Sequence, residues 1–175
     1  MFQAERDLLA KVIGPWLVGR IEHVGSTAVP GLPAKPVIDI MAPVEDLESS
    51  RAARVALEAI GYCYAPYKTE VEHWFCKPGP EYRTHHLHLV PRDGKLWIEC
   101  IAFRDLLISD ASVAKEYAAL KHRLAAEVED IDSYVAGKTD LLVRVLSEAG
   151  FTPSEIDAVR SMNLPPGPAS GTARI

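Results

Sequence analysis

One acid interrupts an apolar, β-branched run, Val37-Ile38-Asp39-Ile40-Met41-Ala42-Pro43. Side chains alternate faces along a strand, so Asp39 shares a face with Val37 and Met41 while Ile38 and Ile40 point the other way. A carboxylate in such a place is costly to desolvate unless a metal, a cation or several hydrogen bonds compensate it. It therefore reads either as a structural acceptor or as a ligand for chemistry. Thirteen positions before it stands Ser26, in the run Gly25-Ser26-Thr27. A tight strand-to-helix turn there would offer backbone N–H groups and hydroxyls, which is a phosphate cradle. Lys35, in a loop between Pro33 and Pro36, is a point charge available to the same phosphates.

A second group lies in Arg83-Thr84-His85-His86-Leu87-His88-Leu89-Val90. Alternation puts His86 and His88 on one face with Thr84, and His85 on the other with Leu87 and Leu89. If this strand neighbours the one holding Asp39, two imidazoles approach the carboxylate. They could then ligate a transition metal, donate protons to a phosphate, or serve as half-exposed, hydrogen-bonded strand residues. Arg83 suits a bidentate phosphate contact. Further along, Glu99, Arg104 and Asp105 fall on one helix, and Tyr117 and Lys121, four apart, share a face of the next. Glu99 is a remote third acid; Arg104 and Lys121 are candidate phosphate contacts, and an Arg104–Asp105 clamp between helices is the structural alternative.

These residues need elements to hold them. Leu8, Leu9, Val12, Ile13, Trp16 and Leu17 predict an amphipathic helix over residues 3–18, kinked or ended at Gly14-Pro15. A short strand is expected at 21–24, a loop at 31–36 and a strand at 37–43. Residues 46–60 return to helical spacing and stop at Gly61. Strands at 62–65, 71–76 and 84–90 suggest an antiparallel extension of the sheet. Helical patterns then fill 96–108, 112–130, 132–149 and 153–161. The expected fold is α/β (α+β), a mixed sheet flanked by helices with a C-terminal helical half. Residues 1–162 are expected to form one domain, and the Pro-, Gly-, Ala- and Ser-rich residues 163–175 a flexible tail.

Composition narrows the function classes. At 175 residues and 48% hydrophobic, the chain can bury one sizeable core. A formal net charge of −5 argues against nucleic acid held by a broad basic surface. No apolar run reaches the roughly 20 residues that span a bilayer, and the N-terminal segment does not read as a signal peptide, so a soluble, cytoplasmic protein without membrane attachment is expected. Cys63, Cys76 and Cys100 are odd in number, widely spaced and without a CxxC pair, which indicates free thiols.

The turn is not a P-loop, because five residues separate Gly25 from Gly31 and Lys35 does not follow a glycine. A Gly-Ser turn followed by an acid-bearing strand instead resembles the nucleotidyltransferase pattern. More narrowly, the eighteen-residue run from His23-Val-Gly-Ser-Thr through Lys35-Pro-Val-Ile-Asp-Ile40 resembles the central motif of the GrpB family. The likeness continues through residues 83–90, Ala102-Phe-Arg-Asp-Leu-Leu107, Tyr117-Ala-Ala-Leu-Lys121 and Lys138, covering most of residues 20–150. It implies a nucleotidyltransferase-like core and, by analogy, a nucleotide or other phosphorylated small molecule as partner, with Mg²⁺ or another divalent metal on Asp39. Polymerase-type members of that superfamily bring two acids from one strand. Here the second position is Met41, which cannot bind Mg²⁺. The leading expectation is a nucleotidyltransferase-type enzyme in which the Gly25-Ser26 turn holds the phosphates, Asp39 a divalent metal, and Lys35 and Arg83 neutralise charge, with His86 and His88 as further catalytic candidates beside Asp39, while Met41 speaks against a two-metal mechanism. Alternatives are a noncatalytic nucleotide- or cofactor-binding module, or a metal-dependent hydrolase built on Asp39, His86 and His88.

Overall fold

A computed structural model describes residues 1–128 and 130–163, and its backbone falls into two compact units divided after Cys100. The first unit holds α1 (Phe2–Val12), β1 (Glu22–Val24), β2 (Ile38–Val44), α2 (Ala53–Glu58), β3 (Cys63–Tyr64), β4 (His73–Pro78) and β5 (Arg83–Pro91). Helix α3 (Lys95–Ser109) begins in it and runs past its end. The second unit continues with α4 (Ala111–Glu127), α5 (Ile131–Ala136), α6 (Thr139–Glu148) and α7 (Pro153–Asn163). The α/β class, the mixed sheet and the C-terminal run of helices are as the sequence pattern predicts. The expected tail begins within α7 at Asn163, and its residues 164–175 lie outside the described residues.

The five strands order as β1-β2-β5-β4-β3. Only the central β2–β5 pair is parallel; its neighbours are antiparallel. One face of this sheet is a true core. Ile40, Ala42, Val44, Phe75, Leu87 and Leu89 pack there with Leu9 and Ile13 of α1 and with Ala53 and Leu57 of α2, every one of them at most 1% exposed. Full burial of such a side chain contributes about 1.5–3 kcal/mol, so this face fixes register as well as stability. Glu5 of α1 is tied to the sheet by the Lys77 ammonium at 2.9 Å and the Tyr62 hydroxyl at 3.0 Å.

Two helical expectations change in detail. Over 46–60 the helical period is real, but the chain first makes a 3-10 turn at Ser49–Ala52, where Ser49 N–H bonds the Asp46 carboxylate at 2.7 Å, and only then α2. The pattern at 132–149 is two helices, α5 and α6, separated at Gly137-Lys138. The Gly137 backbone passes so close to Leu124 that a Cβ would stand 2.5 Å from its Cδ2. The second unit has its own core of Val143, Leu146, Ile156 and Val159.

Candidate functional site

The face of the sheet opposite the core carries the candidate residues. In the parallel β2–β5 pair Asp39 is the Cα partner of His86, and Met41 that of His88. Across β4, His86 faces Cys76 and His88 faces Trp74; across β1, Asp39 faces Val24. Two adjacent rows result, Val24-Asp39-His86-Cys76 and Met41-His88-Trp74. The alternation read from sequence thus places Asp39, His86 and His88 on one face, and the strand order makes them neighbours.

His86 Nδ1 lies 2.9 Å from Asp39 Oδ1. A carboxylate only accepts, so the imidazole donates through Nδ1 and its lone pair is at Nε2. That Nε2 is buried and has no hydrogen-bond partner among the described residues, although the side chain as a whole is 23% exposed. Leaving a buried polar atom unpaired costs about 1–3 kcal/mol, so Nε2 calls for a partner, a water or a ligand, that the described residues do not supply. The His86 ring packs on Trp74, centroids 5.1 Å apart, and the Arg83 guanidinium lies over the same indole at 5.2 Å. Arg83 thereby brings a cation to this side of the sheet while its Nε donates to the Pro80 carbonyl.

The other aspartate oxygen, Oδ2, lies against Gly25. Following Val24, which pairs with Asp39, Gly25 has φ 68° and ψ −171°, and a Cβ there would stand 2.3 Å from Asp39 Oδ2. Glycine is required twice, for the backbone angle and for the approach of the carboxylate. The expected turn is present as a 3-10 turn, Ser26–Ala28. Thr27 works inside it: its hydroxyl donates to the Val37 carbonyl at 3.1 Å and accepts from His23 Nε2 at 3.0 Å. It anchors the turn to β2. Lys35 is exposed in the loop before β2. Arg104, paired with Asp105 at 2.8 Å, and Lys121, over the Tyr117 ring at 5.3 Å, belong to the second unit. The sheet-borne residues Asp39, His86, His88 and Arg83 and the Gly25 turn all belong to the first unit.

Glu72, just before β4, is a functional candidate that strand patterning does not single out. It is 3% exposed, and its Oε2 accepts a short hydrogen bond from His88 Nδ1. Burial alone would lower the His88 pKa; the charge and hydrogen bond of Glu72, with the charge of Asp39, outweigh it and raise the pKa above its ordinary 6.5. A sequence signal exists, because Glu72 interrupts Val71-Glu72-His73-Trp74-Phe75 much as Asp39 interrupts its own strand. On α3, Glu99 is 7% exposed and the neighbouring Cys100 thiol has its pKa pushed up by burial and then by the charges of Glu99, Glu72 and Asp39. Three carboxylates and two imidazoles therefore share one electrostatic neighbourhood.

Among the described residues no group of three or more His, Cys, Asp or Glu side chains is arranged to hold a metal ion. Asp39 spends Oδ1 on His86, and the unpartnered atom beside it is a nitrogen, whereas Mg²⁺ takes near-octahedral oxygen ligands. The residues present do not fit a resident magnesium site on Asp39. No helix among the described residues is long and apolar enough to cross a membrane.

A profile described as GrpB protein matches residues 1–148. The glutamate-rich protein GrpB of Alkalihalophilus pseudofirmus is 36% identical over 154 residues, 85% of this chain and 88% of that protein. The UPF0157 protein YqkA of Bacillus subtilis is 34% identical over 140 residues, covering 79% of this chain; the match spans only 40% of YqkA's length. The crystal structure of conserved protein GrpB from Enterococcus faecalis superposes with a TM-score of 0.73 at 34% identity, covering 85% of this chain and 89% of that one.

Proposed function

This chain belongs to the GrpB family, and we propose that it is a transferase of the nucleotidyltransferase type whose chemical step is proton transfer by His86 on a bound phosphorylated substrate. The observation that carries the reading is the Asp39–His86 pair, which fixes the Nδ1–H tautomer and leaves Nε2 as a water-shielded base. Carboxylate, imidazole and an enclosed lone pair are what a hydroxyl acceptor needs to lose its proton as it attacks phosphorus. Asp39 would hold the ring and stabilise the imidazolium that forms. Arg83 supports an anionic substrate, because its guanidinium reaches the Trp74 indole on which His86 also packs. The Gly25 turn closes over the carboxylate and limits where a phosphate can sit. A divalent metal would arrive with the nucleotide, on its phosphates.

The test is turnover. The protein is incubated with each nucleoside triphosphate, Mg²⁺ or Mn²⁺ and a panel of hydroxyl acceptors, and pyrophosphate release is followed. Asp39→Asn should lower the rate by about 10²–10⁴-fold, the usual contribution of a positioned base. Binding without turnover in every combination would identify a noncatalytic nucleotide-binding module, and an undiminished rate in Asp39→Asn would remove the dyad from the mechanism.

A further inference from the structure

We propose that His88, held by Glu72, is the proton donor to the leaving group in the same site, so that β5 carries a base and an acid two residues apart. The inference rests on the reading of His86 as the base. Its grounds are geometric. His86 and His88 project from one face of one strand, and each donates Nδ1–H to a separate carboxylate, Asp39 from β2 and Glu72 from before β4. Both rings are thereby turned with Nε2 away from their partners. Two residues of strand advance roughly 6.7 Å. An in-line displacement at phosphorus places the attacking and leaving oxygens on opposite sides of the phosphorus, and a hydrogen bond at each end spans that interval. The two pairs are unequal in burial: Glu72 is 3% exposed and Asp39 29%. An enclosed carboxylate favours a cationic partner more strongly, which suits His88 to the acid role, and its raised pKa agrees.

The step balances. The acceptor oxygen gives its proton to His86 Nε2 and forms the new O–P bond. The P–O bond to the leaving group breaks, its electron pair stays on the leaving oxygen, and that oxygen takes the proton from His88 Nε2. Solvent exchange then returns His86 to neutral and His88 to its charged form. Glu72 touches no substrate in this scheme and is a positioning residue. The charges acting on His88 are those of Glu72 and Asp39; Glu72 and Asp39 also act on the Cys100 thiol together with Glu99 and Lys68, His86 stands two residues away on β5, and Glu22 on β1 lies opposite Met41 in the same row. Its titration is read against these groups.

The experiment uses the full chain with ¹⁵N-labelled histidine and inorganic phosphate as the probe. Long-range ¹H–¹⁵N spectra are recorded across pH 5–9 with and without phosphate. The expected result is that His88 titrates above 6.5 and phosphate perturbs the His86 and His88 rings together. Glu72→Gln should bring the His88 midpoint down, and His88→Gln should weaken phosphate binding by at least about tenfold, the loss of one charged hydrogen bond. Phosphate that moves His86 and leaves His88 unmoved overturns the inference while sparing the base. A His88 midpoint that is the same in wild type and Glu72→Gln overturns it too. Silence from both rings sinks the base and the acid alike.

Discussion

Gly25→Ala separates backbone strain from the requirement for an approaching carboxylate. At φ 68° and ψ −171° an L residue lies in a region populated almost only by glycine, a strain of about 1–3 kcal/mol. The new methyl would also stand 2.3 Å from Asp39 Oδ2 and 2.9 Å from Cγ. The turn cannot retreat, because Val24 is paired with Asp39 and Thr27 is bonded to the Val37 carbonyl. Asp39 must therefore rotate, giving up its hydrogen bond to His86, worth about 1.5–3 kcal/mol for a charged pair. The sum is roughly 2.5–6 kcal/mol, a large part of the total stability of a domain. At a urea slope of about 2 kcal/mol per M, the unfolding midpoint should fall by about 1.3–3 M. Gly31→Ala is the control for a methyl at positive φ without a close neighbour, since Gly31 has φ 77° and an added methyl there would meet nothing within 4 Å. It should show the strain alone. Equal losses at the two glycines, or a Gly25→Ala midpoint within about 0.5 M of wild type at that slope, would refute the close packing of turn and carboxylate.

Thr27→Val should cost about 1–3 kcal/mol in urea unfolding, since the Val37 carbonyl and His23 Nε2 both lose the Thr27 hydroxyl. The His88–Glu72 pair gives stability a defined pH dependence. The folded pKa of His88 lies above its unfolded 6.5, so its contribution is complete below pH 6.5 and is lost as pH rises through the folded value. Wild type should lose stability across that window, and Glu72→Gln should show a flatter profile there by thermal unfolding.

Much of this site is legible in strand alternation. The parity of Asp39, His86 and His88 follows from a period of two, and proline and glycine clusters mark the strand boundaries. Adjacency is not legible, because the pairing of β2 with β5 is a tertiary choice. The core face of Ile40, Ala42, Leu87 and Leu89 makes that choice, and a one-residue slip would turn it outward. Glu72 is hard to see in the sequence because an acid beside His73 and Trp74 resembles an ordinary strand boundary, and its partner His88 comes from another strand. The split of 132–149 shows in the sequence only as a glycine inside a helical pattern; in the structure α5 ends at Ala136 with Gly137 as its cap, and Gly137 passes close to Leu124.

Met41 marks where this site departs from a two-acid strand. It is 1% exposed and stands opposite His88, so the position that would hold a second metal-binding acid is apolar and filled. A second acid nevertheless enters the neighbourhood, displaced to Glu72, and it comes with its own imidazole. Two half-buried or buried carboxylates near each other need compensation, because their repulsion grows as water is excluded. A pair of Mg²⁺ ions would supply it as charge from outside; here two histidines supply hydrogen bonds from within, each donating Nδ1–H to one carboxylate oxygen, and the Glu72 partner also favours the cationic form of His88. To admit a metal at Asp39, the ion would have to displace His86 from Oδ1 and find its remaining oxygen ligands elsewhere. The arrangement instead stores proton donors and acceptors side by side on one strand, and that favours acid–base chemistry at an oxygen over activation by a resident metal.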